Sequence, residues 1–198
     1  MRYDSEKHHR RSIRLQNYDY TMPGAYFVTI CTRERACLFG MIRDGEMWLN
    51  DAGRAVEASW NKLPARYANI SLDGFVIMPN HVHGIIVVGA PLVGAPVAMC
   101  GDGATGKRAT TRVAPTVGEI MGAFKSITTD EYIRGVKSAS WPSFNVRLWQ
   151  RNYYEHIIRD DESLNRIRQY ISDNPSHWAF DRENPAAITP EPEEAWLA

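Results

Sequence analysis

The 198-residue sequence contains no long uninterrupted apolar run, which argues against a membrane-spanning helix. Its first residues are charged and lack an apolar core, so no secretory leader is expected. Cysteine is scarce. Cys31, Cys37 and Cys100 are an odd set without the paired spacing of a metal site, and they read as reduced thiols of a cytoplasmic protein. Net charge is also missing, because 23 Lys and Arg balance 23 Asp and Glu. That balance argues against indiscriminate nucleic-acid binding, which usually brings a basic excess. The charge is unevenly placed, however. Lys7, Arg10, Arg11 and Arg14 crowd an N-terminal arm, while Glu183, Glu191, Glu193 and Glu194 lie in a tail expected to be solvated. No internal repeat is apparent.

What remains is an ordinary globular composition, 44% hydrophobic and 23% charged, long enough for one domain with a real core. The expected organisation is a basic arm over 1–23, a single domain over 24–178 and an acidic tail over 179–198. A Gly/Ala/Pro/Thr-rich stretch over 89–115 reads as a loop insertion.

Periodicity supplies the elements. Tyr26 to Thr32 is β-branched and aromatic and reads as a strand. Asp44-Gly45 signals a hairpin between Met41-Ile42 and Met47-Trp48-Leu49. Asp51 is the expected cap of a helix whose face is Ala52, Val56, Trp60 and Leu63, stopped by Pro64. Leu72 to Met78 and His81 to Val88 are strands joined by the Pro79-Asn80 turn. Thr116 and Glu119 form a capping box ahead of a helix with Val117, Ile120, Met121, Phe124 and Ile127 on one face. Tyr153 to Ile158 is a further strand. Asp160 to Glu162 open a last helix with a Leu164, Ile167, Ile171 stripe, ended by Pro175. The order implies an α+β fold on the ferredoxin-like split βαβ plan, an antiparallel sheet with helices on one face, plus a C-terminal helix carrying Tyr170.

Two pairs of residues carry chemistry. Side chains alternate along a strand, so His81 and His83 share a face, about 6–7 Å apart along the backbone, and can converge on one ion. Alone, a His-x-His pair is weak evidence and reads more readily as two polar residues on an exposed face. On the last helix Tyr170 and Asn174 lie four residues apart and share a side. Alone, each is an ordinary core-edge aromatic and an ordinary helix terminus. Together, two imidazoles and an amide oxygen leave coordination positions open, as a catalytic Mg²⁺ or Mn²⁺ requires, and a tyrosine beside such an ion is a candidate nucleophile for phosphoryl transfer.

The sequence resembles the single-tyrosine HUH transposases of small insertion sequences, and most closely their REP-associated tyrosine transposase relatives. The likeness rests on Met78-Pro79-Asn80-His81-Val82-His83, on Phe124-Lys125-Ser126, on Tyr154 to Arg159 and on Tyr170 to Pro175, in that order, across roughly 24–178. It implies a metal-dependent transposase with His81, His83 and Asn174 as ligands and Tyr170 as the nucleophile, ending as a 5′-phosphotyrosine. It further implies a single-stranded or hairpin DNA partner and a monomer or homodimer. His156 and Arg159 match a motif read as DNA contact or support of the site, and Lys125 belongs to the same class. Arg10, Arg11 and Arg14 are candidates for holding phosphates, with Arg147, Arg151, Arg166 and Arg168 along the strand path and Trp149 as a stacking platform. The 89–115 insertion and the acidic tail depart from the family pattern. Tyr153 and Tyr154 are rival nucleophiles, ranked lower because neither has an amide four residues on. The competing functions are a replication-initiation or relaxase nuclease, a non-catalytic hairpin-binding module, and a metal protein without DNA.

Overall fold

The structure is a computed structural model that describes residues 23–89, 115–190 and 192. Arg10, Arg11, Arg14 and Cys100 lie outside the described residues, as does all of the insertion but its ends.

The main sheet contains β1 (Gly24–Cys31), β4 (Ile70–Ile77), β5 (His81–Val88) and β6 (Tyr154–Ile158) in the order β4-β5-β1-β6, with every neighbouring pair antiparallel. Counting only these four strands, the order is 2-3-1-4, which is the ferredoxin-like plan. A two-stranded ribbon, β2 (Gly40–Arg43) and β3 (Glu46–Leu49), precedes α1 (Asp51–Asn61). Its turn follows from Asp44-Gly45, which adopt φ of 51° and 77°, the left-handed values a tight hairpin needs. A short turn of helix, α2 (Leu63–Arg66), holds Pro64 near its start. Pro64 therefore begins this turn, and α1 has already ended at Asn61. The cap of α1 is Asn50, whose side chain accepts from Gly53 N, one residue before the expected Asp51.

α3 (Val117–Ser138) opens with the expected capping box and runs well past Ile127, burying Thr128 and Tyr132 on its inner side. α1 and α3 pack together on one sheet face. Between them and the sheet lies the main core of Tyr26, Val28, Ile30, Trp60, Val82, Ile86 and Phe124. Trp60 is wholly buried, stacked on Phe75 with ring centroids 4.8 Å apart and edge-on to Phe124. It lies flat against Gly84, where a methyl group would overlap the indole ring. Gly84→Ala is therefore expected to destabilise the fold by about 1–3 kcal/mol, as overpacking does. Urea titration would measure it, and an unchanged midpoint would mean that β5 yields freely. Because Gly84 follows His83 directly, the same clash presses on the site.

α4 (Asp161–Asp173) occupies the opposite face. Asp160 caps it by accepting from Ser163 N. Its apolar stripe buries Ile167 and Ile171 against Phe27, Ile85 and Ile158, forming a second, smaller core. Arg168 fastens the helix to β4 by donating Nε to Asp73 Oδ1 (2.9 Å) and Nη2 to Asp73 Oδ2 (2.6 Å). Arg168 was expected along a DNA path and instead docks α4. Among the described residues no helix is long and apolar enough to cross a membrane.

Candidate metal centre and tyrosine cleft

Strand alternation on β5 sends Val82 into the main core and turns His81 and His83 toward the α4 face, where they are 0% and 4% exposed. Their Nε2 atoms lie 3.0 Å apart. Two ligand atoms at about 2.1 Å and at right angles around one ion are about 3.0 Å apart, so the pair is spaced to share a cation. Neighbours set the proton positions. Asn80 Nδ2 donates to the carbonyls of Arg35 (3.0 Å) and Glu183 (2.6 Å). That turns Asn80 Oδ1 toward His81 Nδ1, 2.8 Å away, so Nδ1 carries the hydrogen and Nε2 keeps its lone pair. His83 Nδ1 lies 2.8 Å from the Thr29 hydroxyl, which can donate or accept and so admits either tautomer.

Burial drives both rings toward the neutral form. It pushes His81 down to about 4, and it pushes His83 down to about 3 with the help of the adjacent His81. Unfolded, each regains an ordinary pKa near 6.5. Below that value the unfolded chain binds protons that the folded chain refuses. The stability these rings contribute is therefore complete above pH 6.5 and is lost as pH falls toward 4. Asp181, whose carboxyl is pushed up by burial, works in the opposite sense. The metal-free protein is expected to melt at progressively lower temperature from pH 6.5 to pH 4. A His81→Gln, His83→Gln double variant should show a shallower slope in the same calorimetric series, and an equal slope would reject this cause.

α4 brings up the other half of the site. The Tyr170 ring lies 5.3 Å from the His83 ring and edge-on to Phe27 at 6.1 Å. Asn174, one residue past the last helical position, is 2% exposed, and its Oδ1 is buried without a hydrogen-bond partner among the described residues. An orphaned amide oxygen beside two imidazole Nε2 atoms is the donor set that a divalent cation would satisfy once His83 takes the Nδ1–H tautomer. A cleft opens alongside, walled by Phe27, Thr29, His83, Tyr154 and Tyr170, together with Arg182 and Glu183.

The chain after Asn174 turns back over the histidines. Trp178 lies 6.1 Å from the His81 ring, and Asp181 is 3% exposed. The donor atoms of His81, His83 and Asp181 all lie within 4.8 Å of one another, a buried group that could hold a metal ion. Glu183, expected on a solvated tail, instead accepts from Arg35 Nε at 2.7 Å and is only 14% exposed. Sequence reasoning did not find Asp181, Asn80, Thr29 or Arg182. The one available signal was Trp178, an aromatic at the entrance to a segment read as acidic and solvated.

The remaining expected site residues fall elsewhere. His156 pairs in register with Phe27, two positions along β6 from Tyr154, and does not line the cleft. Arg159 is exposed just past the end of β6. Lys125 donates to the carbonyls of Gln150 (3.1 Å), Arg151 (3.3 Å) and Asn152 (3.0 Å), so its ammonium pins the chain leading into β6. Trp149, expected to stack on a base, is a core residue, 4% exposed, with Nε1 donating to Thr128 Oγ1 at 2.9 Å. Of the rival tyrosines, Tyr153 packs against the main core and donates to Glu155 Oε2, whereas Tyr154 does reach the cleft.

Fold and site together define a ferredoxin-like α+β protein with a buried His-x-His centre and a tyrosine on the helix that covers it. The chain belongs to the family of an uncharacterized protein from Haemophilus influenzae, with which it is 40% identical over 191 residues, 91% of this chain and 96% of the relative. No protein-family model matches it. Among solved structures it is similar to a REP-associated tyrosine transposase bound to a REP hairpin, with TM-score 0.46 and 16% identity over 82% of this chain and 73% of that one. It is also similar to a candidate transposase of Deinococcus radiodurans, with TM-score 0.45 and 13% identity over 81% of this chain and 95% of that one.

Proposed function

We propose that this protein is a DNA strand transferase of the REP-associated tyrosine transposase type, nicking single-stranded or hairpin DNA through a 5′-phosphotyrosine at Tyr170. The observation that supports this most is the convergence, within one chain, of two histidine Nε2 atoms 3.0 Å apart, an unpartnered Asn174 oxygen and a tyrosine ring 5.3 Å from His83. His81, His83 and Asn174 would hold a divalent cation, Mg²⁺ or Mn²⁺, which would supply Lewis-acid stabilisation of the charge developing on the scissile phosphate.

The chain's own groups do the rest. Phe27 and His83 fix the Tyr170 ring before DNA arrives, so its orientation is set in advance. A phenol has a pKa of about 10, so Tyr170 must release its proton, here to water, as Oη bonds to phosphorus. The bond from phosphorus to the 3′-oxygen breaks, and that oxygen takes up a proton. The phosphate remains a diester, so a second 3′-hydroxyl can reverse the step on another strand end, which suits transposition or repeat processing. Arg10, Arg11, Arg14 and Arg159 are assigned to backbone phosphates. Tyr170 packs on the sheet of its own chain, which favours action on its own metal.

The test incubates the full chain with single-stranded hairpin DNA carrying flanking sequence and Mn²⁺, and looks for a covalent adduct on a denaturing protein gel. An adduct that requires metal supports strand transfer. Hairpin binding without an adduct on any flank would leave a hairpin-binding module as the function.

A further inference from the structure

We infer that Asp181 is a fourth, anionic protein ligand to the divalent cation, delivered by the segment that follows α4. This rests on the metal-centre reading above and adds to it a residue outside the two helix and strand motifs.

Two acids lie beside the histidines, Asp181 buried and Glu183 partly buried, and the fold treats them differently. Glu183 has a cation of its own, because Arg35 Nε donates to it at 2.7 Å. Among the described residues Asp181 has none at that distance. One of its oxygens, Oδ1, accepts from Glu183 N at 2.6 Å, a local turn that fixes the side chain. The other, Oδ2, is buried, has no hydrogen-bond partner of ordinary geometry among the described residues and lies 3.5 Å from His81 Nε2. His81 Nδ1 faces Asn80 Oδ1, so the Nε2 turned toward this oxygen presents a lone pair and not a proton. A carboxylate that is 3% exposed and unpaired is unfavourable by itself, and buried charges are ordinarily paired or bound to metal. The Asn174 oxygen is orphaned in the same place, and the Asn174 side chain lies against both His81 and Asp181. Two orphaned oxygens and two imidazole nitrogens enclosing one point would form an N₂O₂ set with one negative charge. Positions stay open for a phosphate oxygen, and the carboxylate moves the preference toward hard cations such as Mn²⁺ and Mg²⁺.

The experiment titrates the full chain with MnCl₂, reading free Mn²⁺ by electron paramagnetic resonance, and melts each protein with and without the metal. Asp181→Asn should weaken Mn²⁺ binding about tenfold or more, because ligand charge count tunes such affinities. Its metal-free melting temperature should stay level or rise, since an unpaired buried charge is gone, while the shift produced by Mn²⁺ shrinks. Glu162→Gln, an exposed carboxylate at the start of α4, should bind as wild type does. If Asp181→Asn fails to fold, Asp181→Glu decides. Binding within a few-fold of wild type supports the carboxylate ligand, and a loss of tenfold or more overturns it. Asp181→Asn binding as tightly as wild type, or more tightly, also overturns it. The broader reading has a separate control in His83→Ala. If that variant loses Mn²⁺ and Asp181→Asn does not, only the fourth ligand is rejected. If wild type binds no Mn²⁺, both are rejected.

Discussion

Tyr170→Phe yields no covalent protein–DNA adduct with any metal, while the protein still folds and still retains the hairpin. This expectation follows from how little the substitution removes. The phenyl ring keeps its edge contact with Phe27 and its place 5.3 Å from His83, so α4 has no reason to move. Only the hydroxyl is lost, and with it the atom that would bond to phosphorus. The effect should be all-or-none on a denaturing gel, because non-covalent DNA does not survive denaturation. Tyr154→Phe is the informative companion. Tyr154 lines the same cleft and packs against Phe27 at 6.3 Å, but it stands on β6 with no amide placed toward the histidines. Its variant should keep most of the adduct. If the pattern is reversed, with Tyr170→Phe active and Tyr154→Phe silent, the nucleophile has been misassigned. Mass spectrometry of the DNA-linked peptide would then report the correct residue.

The second large effect is on the histidine pair. His83→Ala should lower the rate of adduct formation on the order of a thousandfold at a fixed low Mn²⁺ concentration, the size of several kcal/mol of lost charge stabilisation. Hairpin affinity measured without metal should change little, because backbone phosphates are assigned to arginines elsewhere. Removing His83 also takes away the ring that stacks on Phe27 at 5.4 Å, so the metal-free melting temperature must be recorded alongside. Thr29→Val is a gentler probe of the same centre. It removes the hydroxyl 2.8 Å from His83 Nδ1, leaves the imidazole in place and should cost about 10–100-fold in metal affinity, as losing a partner behind a ligand typically does. Equal activity of His83→Ala and wild type in the presence of a chelator would show that the chemistry does not run through this pair.

The order of strands and helices could be read from period and caps alone. Asp44-Gly45, the Thr116 and Glu119 box, and Asp160 each act within a few residues, so local chemistry was enough to find them. The strand-helix order then left few topologies, and the β4-β5-β1-β6 sheet is the one expected. Within the site, His81 with His83 and Tyr170 with Asn174 were legible because each pair shares one element and one period. That the two pairs meet was an inference from the resemblance, and the packing of α4 across the sheet brings them together.

Other features have no local signature. Trp149 was read as a DNA contact and Lys125 as a DNA contact or a support of the site, because an aromatic and a cation in sequence carry no sign of what they will face. In the fold, one fills the core and the other binds three carbonyls. Arg168 likewise finds Asp73, 95 residues away, and becomes the fastening of α4. The segment around Asp181 was read as solvated from its charge, and nothing in its own spacing opposed that reading. The sequence by itself thus determined the elements, their order and two halves of a site, since these depend on neighbours along the chain. Only the tertiary structure decided which buried oxygens face the histidines, because burial and the lack of a partner arise from residues distant in sequence.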